Sequence, residues 1–348
     1  MAKVETRKSK YRTDLASVIP LRTPYVLFVD PSSACNFQCT FCPTGDRKLM
    51  RDIGRFQGNL TQQDFEKVIA DCTEFDDKIK VLRLYKDGEP LLNKNLFSMI
   101  ALAKKSGRFN EVDTTSNGFL LTPKNSEMLV DSGLDLLNIS VDGMSKKQFF
   151  EFTKVNVDFK KFVDQIKYLN SIRGDMSVVI KTTSEIIGED QHTHFYDTFG
   201  PFCDKIFVEN TAPCWPDFDV EERMGISIKD GLYGNKIKDQ TACPYIFYSI
   251  SVNSDMKVSA CFVDWSRELI LGDLRNASLK AIWNSNILNS HRYNHISGNR
   301  KNHQVCGKCR QLSHCGPDSI EGGLKKIKLK MDSSNFIKNG DILPCGYE

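Results

Sequence analysis

The 348-residue sequence contains no apolar run near the roughly twenty residues that a membrane-spanning helix needs, which excludes a helical membrane protein. The N-terminus lacks an apolar h-region, so no secretory signal is expected and the chain is assigned to the cytoplasm. Charge of one sign is also scarce: the net charge is +3 and the sequence pI about 8.2. Without a concentrated basic stripe, nucleic acid is not an expected partner. The basic stretch MAKVETRKSKYRT reads as part of a solvated tail over residues 1–20. There is no internal repeat and no low-complexity tract, which excludes solenoid and fibrous architectures. Hydrophobic content of 40% and charged content of 26% are ordinary for a globular chain.

One further shortfall is informative. ACNFQCTFC, residues 34–42, holds Cys35, Cys39 and Cys42 four and three residues apart, with no fourth thiol beside them. In a reducing compartment the twelve cysteines favour metal binding or catalysis over structural disulfides. Two thiols could close a disulfide and four could close a zinc site; His192 and His194 are too distant in sequence to serve as an assumed fourth ligand. Three thiolates suit a [4Fe–4S] cube whose fourth iron stays open.

The rest of the chain alternates strand and helix. Residues 24–30 read as a buried strand, and Thr61 opens a helix through a capping-box pattern, TQQD. Strands follow at 80–85, 111–115, 135–141, 176–183 and 205–210, with helices at 95–105, near Thr122-Pro123, and at 158–172. The segment 189–200 reads as polar and without strand character, with His192 and His194 on the surface. This order predicts a partial (β/α)6 TIM-like barrel over 21–210. Polar segments follow the strands, ACNFQC, KDGEP, TSNG and SVDG, and converge on the rim where such folds place their sites. Residues 211–242 read as a connector. A small α+β unit spans 243–320, with a hairpin turning at Asn253–Asp255 and a helix near 278–290. Residues 321–348 form a C-terminal tail.

C-x3-C-x2-C after the first strand, with Phe41 before the last cysteine, resembles the radical S-adenosylmethionine (SAM) superfamily over residues 24 to about 210. Gly88-Glu89-Pro90 resembles that family's GGEP motif, which receives the amino group of SAM; Asp87 stands where the first Gly would be. Ser116, Asn117, Ser140 and Asp142 match positions that contact the SAM carboxylate and ribose, and Phe41 would lie near the adenine. The resemblance implies an open cube on Cys35, Cys39 and Cys42. It also implies reductive cleavage of SAM to a 5′-deoxyadenosyl radical, which abstracts hydrogen from a substrate. A flavodoxin or ferredoxin donor follows from the need for low-potential electrons.

The unit from Cys243 resembles the SPASM/twitch extensions of this superfamily, through its CP opening, the LGDL segment and Trp283-Asn284. Met256 stands where Gly is usual. The resemblance implies one auxiliary [4Fe–4S] cluster on Cys243, Cys261, Cys306 and Cys309. The rival set is Cys306, Cys309, Cys315 and Cys345, and a zinc ribbon remains a further alternative. Cys72, Cys203 and Cys214 read as ordinary thiols. Trp215 and Pro216 are candidates for the rim, and Lys86 and Glu209 for substrate contacts or salt bridges.

The expected reaction is a two-electron oxidation of a small hydroxylated molecule, a sugar, cyclitol or nucleotide sugar, with the auxiliary cluster as electron acceptor. The spacing is similar to that of the twitch-type inosamine dehydrogenase of aminoglycoside biosynthesis. The alternative is a peptide- or protein-modifying SPASM maturase. Only 34 residues precede Cys35, too few for a leader-binding domain. A non-catalytic iron–sulfur or zinc protein is the remote third reading.

Overall fold

A computed structural model describes residues 2–6, 12–316 and 318–333. Its strands form one ten-stranded sheet in the order β1-β7-β6-β5-β4-β3-β2-β8-β9-β10. Strands β2 (Val26–Val29), β3 (Ile79–Arg83), β4 (Phe109–Ser116), β5 (Leu136–Ser140), β6 (Ser177–Thr183) and β7 (Lys205–Glu209) are parallel neighbours. Helices Gln62–Cys72, Leu96–Ser106, Pro123–Asp131, Phe159–Ile172 and His192–Phe199 make the crossovers. This is the predicted partial (β/α)6 barrel.

Local chemistry sets the helix starts. Thr61 accepts from Asp64 N–H at 3.0 Å and donates to the Asp64 carboxylate at 2.7 Å. Thr122 caps a helix whose first residue is Pro123, and Asp158 caps the next long one. The segment read as polar over 189–200 contains helix His192–Phe199, because Phe195 and Phe199 share a buried face that the polar residues between them mask.

Register divides the sheet into two chemically distinct faces, since side chains alternate along each strand. Leu27, Leu82, Val112, Leu137, Ile139, Val178 and Ile180 occupy one face and are almost wholly buried in the main hydrophobic core. The other face carries Arg83 opposite Asp113, Thr115 opposite Asn138, Ser140 opposite Lys181 and Thr183 opposite Glu209. Polar groups therefore line the concave side, and apolar ones pack outward.

The ends of the chain and the C-terminal unit join this sheet. Residues 1–20, read as a tail, contain β1 (Lys3–Val4), parallel to β7, and the buried Leu15 and Ile19. Strand β8 (Ser249–Val252) pairs parallel with β2, so the C-terminal unit extends the barrel sheet. The predicted hairpin forms between β8 and β9 (Lys257–Ser259), and β10 (Ile270–Asp273) completes the edge. Met256 adopts φ +67°, the left-handed conformation that favours glycine. In the segment after 320, helix Leu324–Ser333 buries Ile327 and Met331. Cys345 lies outside the described residues.

Trp283 locks the two parts together. It is fully buried, its Nε1 donates to Leu21 O at 3.0 Å, and the Arg292 guanidinium lies 4.1 Å from its ring centre. Trp283→Ala is expected to cost about 3–5 kcal/mol, read as a fall in the urea unfolding midpoint; a loss below about 1 kcal/mol would contradict this packing account.

Candidate functional site

The cysteine loop leaves the end of β2 and is clamped by backbone contacts. Glu89 N–H donates to Ala34 O at 2.9 Å. At Gly88 an added Cβ would lie 2.0 Å from Ala34 O and 2.4 Å from Ser32 O, so only glycine permits this approach. Gly45 closes the other side, where a Cβ would meet Cys39 O at 2.3 Å.

Glu89 is spent on organising the rim. Its carboxylate accepts from Leu91 N–H at 3.0 Å, Ser116 Oγ at 2.8 Å and Asn117 N–H at 2.8 Å. Burial pushes its pKa up to about 7 against the pull of those three donors. Ser116, 2% exposed, thus buttresses Glu89. Asn117 Nδ2 donates to Asn36 Oδ1 at 2.8 Å, tying the end of β4 to the cysteine loop. Asn36 Nδ2 is buried with no hydrogen-bond partner among the described residues, an available donor in that loop.

Cys35, Cys39 and Cys42 influence one another electrostatically, and Asp142 acts on the first two. Burial is the main cause that pushes all three thiols up, Cys35 to about 12. Phe41 packs beside a small apolar cluster of Met50, Phe218, Val220 and Trp265, together with the predicted rim residue Trp215. Pro216 O accepts from Trp265 Nε1 at 2.7 Å.

Asp142, at the end of β5, has its pKa raised to about 6 by burial, with Lys181 opposing and Glu209 reinforcing the shift. Lys181 is ion-paired to Glu209 across β6 and β7. Ser140 stands opposite Lys181 in register. Tyr233 feels Glu209 and Lys181, and burial raises its pKa to about 12. Deeper in the concave face, Arg83 Nε lies 3.8 Å from Asp113 Oδ2. Asn138 Oδ1 is buried with no hydrogen-bond partner among the described residues. Lys86 is not free for substrate: its Nζ reaches Asp87 at 3.3 Å and Asp264 O at 3.2 Å, and its side chain is fully buried.

The second cysteine set gathers Cys243, Cys261, Cys306 and Cys309. Each thiol is pushed up chiefly by burial, and electrostatic influence runs from Cys309 and Cys306 to Cys243, from Cys243 to Cys261 and from Cys261 to Cys306. Arg300 pins the loop, donating to Cys306 O, to Thr241 O at 3.1 Å and to Gln240 O at 3.2 Å. Cys315 Sγ lies 3.2 Å from Gln311 Oε1, and Cys315 acts electrostatically on Cys214, as Cys309 does. Cys214, read as an ordinary thiol, lies beside the second set, its carbonyl 3.9 Å from Cys309 Sγ. Among the described residues no three His, Cys, Asp or Glu side chains, in either cysteine set, lie close enough together to hold a single metal ion.

Three histidines, His295 buried and His291 and His303 half-buried, back the second set, and sequence reasoning missed them. His295 Nδ1 accepts from Cys243 N–H at 3.2 Å, and His303 Nδ1 from Cys306 N–H at 3.3 Å. His291 stacks edge-on against His303 with ring centres 5.2 Å apart. Burial lowers all three pKa values, that of His291 to about 4, which agrees with His295 and His303 accepting through Nδ1. The spacing of His291 and His295, four apart on one helix face, was the available signal. His192 pairs with Ser184 Oγ at 3.0 Å, and His194 is exposed.

Comparisons with known proteins agree with this geometry. A family model described as "Radical SAM superfamily" matches residues 29–188, and one described as "Iron-sulfur cluster-binding domain" (SPASM) matches residues 243–310. The GTP 3′,8-cyclase of Staphylococcus haemolyticus is 28% identical over 174 residues, 50% of this chain and 50% of that protein. The chain thus spans about half the length of the curated relatives it matches. Among solved structures, BtrN in complex with AdoMet and 2-DOIA superposes with a TM-score of 0.55 at 16% identity, over 85% of this chain and 96% of that one. Streptococcus suis SuiB bound to S-adenosylmethionine gives 0.61 at 16% identity, over 90% and 76%. No helix of the described residues is long and apolar enough to cross a membrane. With both domain matches in chain order and the fold shared, the chain belongs to the radical SAM superfamily, carries a C-terminal SPASM domain, and has S-adenosylmethionine and [4Fe–4S] clusters as its cofactors.

Proposed function

We propose that the chain is a cytoplasmic radical SAM oxidoreductase that removes two electrons from a small, uncharged, polyhydroxylated molecule. The observation that carries this reading is the charge balance of the concave face. Arg83 is matched by Asp113 and Lys181 by Glu209, and both cations keep about a quarter of their side chain exposed. Such pairs offer donors and acceptors together, which suits hydroxyl groups. A nucleoside triphosphate would need surplus cations, so the matched pairs weigh against the reaction named for the cyclase relatives.

Cys35, Cys39 and Cys42 would hold the cluster that binds SAM; Cys243, Cys261, Cys306 and Cys309 would hold a single auxiliary cluster. Once loaded and reduced, by a flavodoxin or ferredoxin, these groups supply hydrogen abstraction from an unactivated C–H bond and a sink for the second electron. The protein supplies the remaining work. The Gly88-Glu89 backbone would receive the SAM amino group, Asn117, Ser140 and Asp142 would lie toward its polar end, and Phe41 would flank the adenine. Lys181 orients a substrate hydroxyl, and the Glu209 carboxylate takes its proton. Asn138 Oδ1 accepts from a second hydroxyl. A peptide substrate is the second reading, supported by the likeness to SuiB, which has been solved bound to precursor peptide SuiA.

Anaerobic reconstitution should give about eight irons per chain, falling to about four when Cys35, Cys39 and Cys42 become Ala. The same fall is expected when Cys243, Cys261, Cys306 and Cys309 become Ala; four irons in the unaltered chain would remove the auxiliary cluster. Gly88→Ala should lower stability by roughly 1–3 kcal/mol and weaken SAM binding in calorimetry. Gly200→Ala, where an added Cβ meets nothing within 4 Å, should do neither. Glu209→Gln should leave dithionite-driven 5′-deoxyadenosine formation intact and slow oxidation of a screened cyclitol or neutral sugar by roughly 10²–10⁴-fold. Equal loss of both activities would contradict the proton-acceptor role.

A further inference from the structure

Asp87 occupies a position where the family resemblance leads one to expect glycine, and it centres a buried ionic cluster that spans the whole chain. Its carboxylate is bonded to Arg267 Nη2 and lies 3.3 Å from Lys86 Nζ and 3.8 Å from Arg55 Nη1. Asp87 N–H donates to Asp30 Oδ1 at 3.3 Å, and Asp30 Oδ2 lies 4.0 Å from Arg267. The side chains of Asp30, Arg55, Lys86 and Asp87 are at most 1% exposed. Two carboxylates thus face three cations in a site closed to water.

The members come from the β2 and β3 ends of the rim, from the segment after the cysteine loop and from the C-terminal unit. Asp30 ends β2, Lys86 and Asp87 follow β3, and Arg55 follows the cysteine loop, where its Nη2 donates to Thr44 Oγ1 at 2.8 Å. Arg267 comes from the C-terminal unit, six residues after Cys261. Arg267 is held at φ +66°, a strained conformation for a long side chain. Its Nη1 donates to Asp264 O at 3.0 Å, and Lys86 reaches the same carbonyl. Ser254, in the β8–β9 turn, donates to Asp30 at 3.3 Å.

We infer that Asp87 and Arg267 are a positioning pair through which the C-terminal iron–sulfur unit fixes the Gly88-Glu89-Pro90 turn. One side of that turn is clamped by the cysteine loop at Ala34, and the other is held by Arg267. Removing Arg267 takes from Asp87 the one cation supplied by the C-terminal unit and leaves it Lys86 and Arg55, whereas removing Asp87 leaves three buried cations against Asp30 alone. The geometry of the turn therefore depends on the docked C-terminal unit. The consequence for SAM rests on the assignment of Gly88-Glu89 to its amino group.

The test is amide hydrogen exchange on the reconstituted full chain, with SAM affinity measured in parallel. In Arg267→Met, exchange over 85–92 should accelerate at least about tenfold while 177–183 in β6 is unchanged, and SAM should bind about tenfold more weakly. In a cycle with Asp87→Asn, the double variant should bind SAM no more weakly than the worse single variant. Arg267→Lys keeps the charge but not the forked reach, and should fall between wild type and Arg267→Met. If Arg267→Met does not fold, faster exchange confined to 85–92 in Arg267→Lys carries the test. Unchanged protection of 85–92 in either folded variant overturns the inference, as does acceleration spread equally over β6. Local acceleration with SAM affinity intact supports the tie and overturns instead the assignment of the turn to SAM.

Discussion

The backbone bond from Glu89 N–H to Ala34 O is the contact on which the rest of the site depends. It sets the loop bearing three thiols against the turn after β3, and it requires a residue without a Cβ at position 88. Glu89, fixed by that bond, then collects Ser116 and Asn117, and Asn117 returns to Asn36 in the loop. Three strand ends are thereby joined through one carboxylate. The strands deliver these residues to one rim because they are parallel and in register.

The C-terminal unit is more than an appended module. Strand β8 adds to β2, Trp283 bonds to the segment entering β2, and Arg267 reaches the buried acids behind the turn. Each contact touches the part of the barrel that carries the cysteine loop. The two groups of thiols are thus tied to one sheet, and Trp265, in the loop that follows Cys261, packs among the residues around Phe41.

The barrel was legible because each strand is an apolar run that ends in a polar, Gly-containing segment, as in KVLRLY followed by KDGEP. The hairpin was legible from alternation. What escaped was long-range. The pairing of β8 with β2 leaves no local mark, so the C-terminal unit read as separate. The ionic cluster joins Asp30, Arg55, Asp87 and Arg267, which have no shared period or motif. Asp87 read as a mild departure from a glycine pattern, whereas it is the centre of that cluster. Helix His192–Phe199 was hidden by its polar face, and of the three histidines behind the second thiol set only His303 lies close in sequence to one of its cysteines, Cys306.

These loops are proposed to form a working site for S-adenosylmethionine on an open iron. The most direct measurement is to reduce the reconstituted chain anaerobically with excess S-adenosylmethionine and no substrate, and to quantify 5′-deoxyadenosine and methionine. The account predicts slow formation of both in equal amounts, abolished when Cys35, Cys39 and Cys42 are replaced by Ala. A fully loaded protein that forms neither product would contradict it.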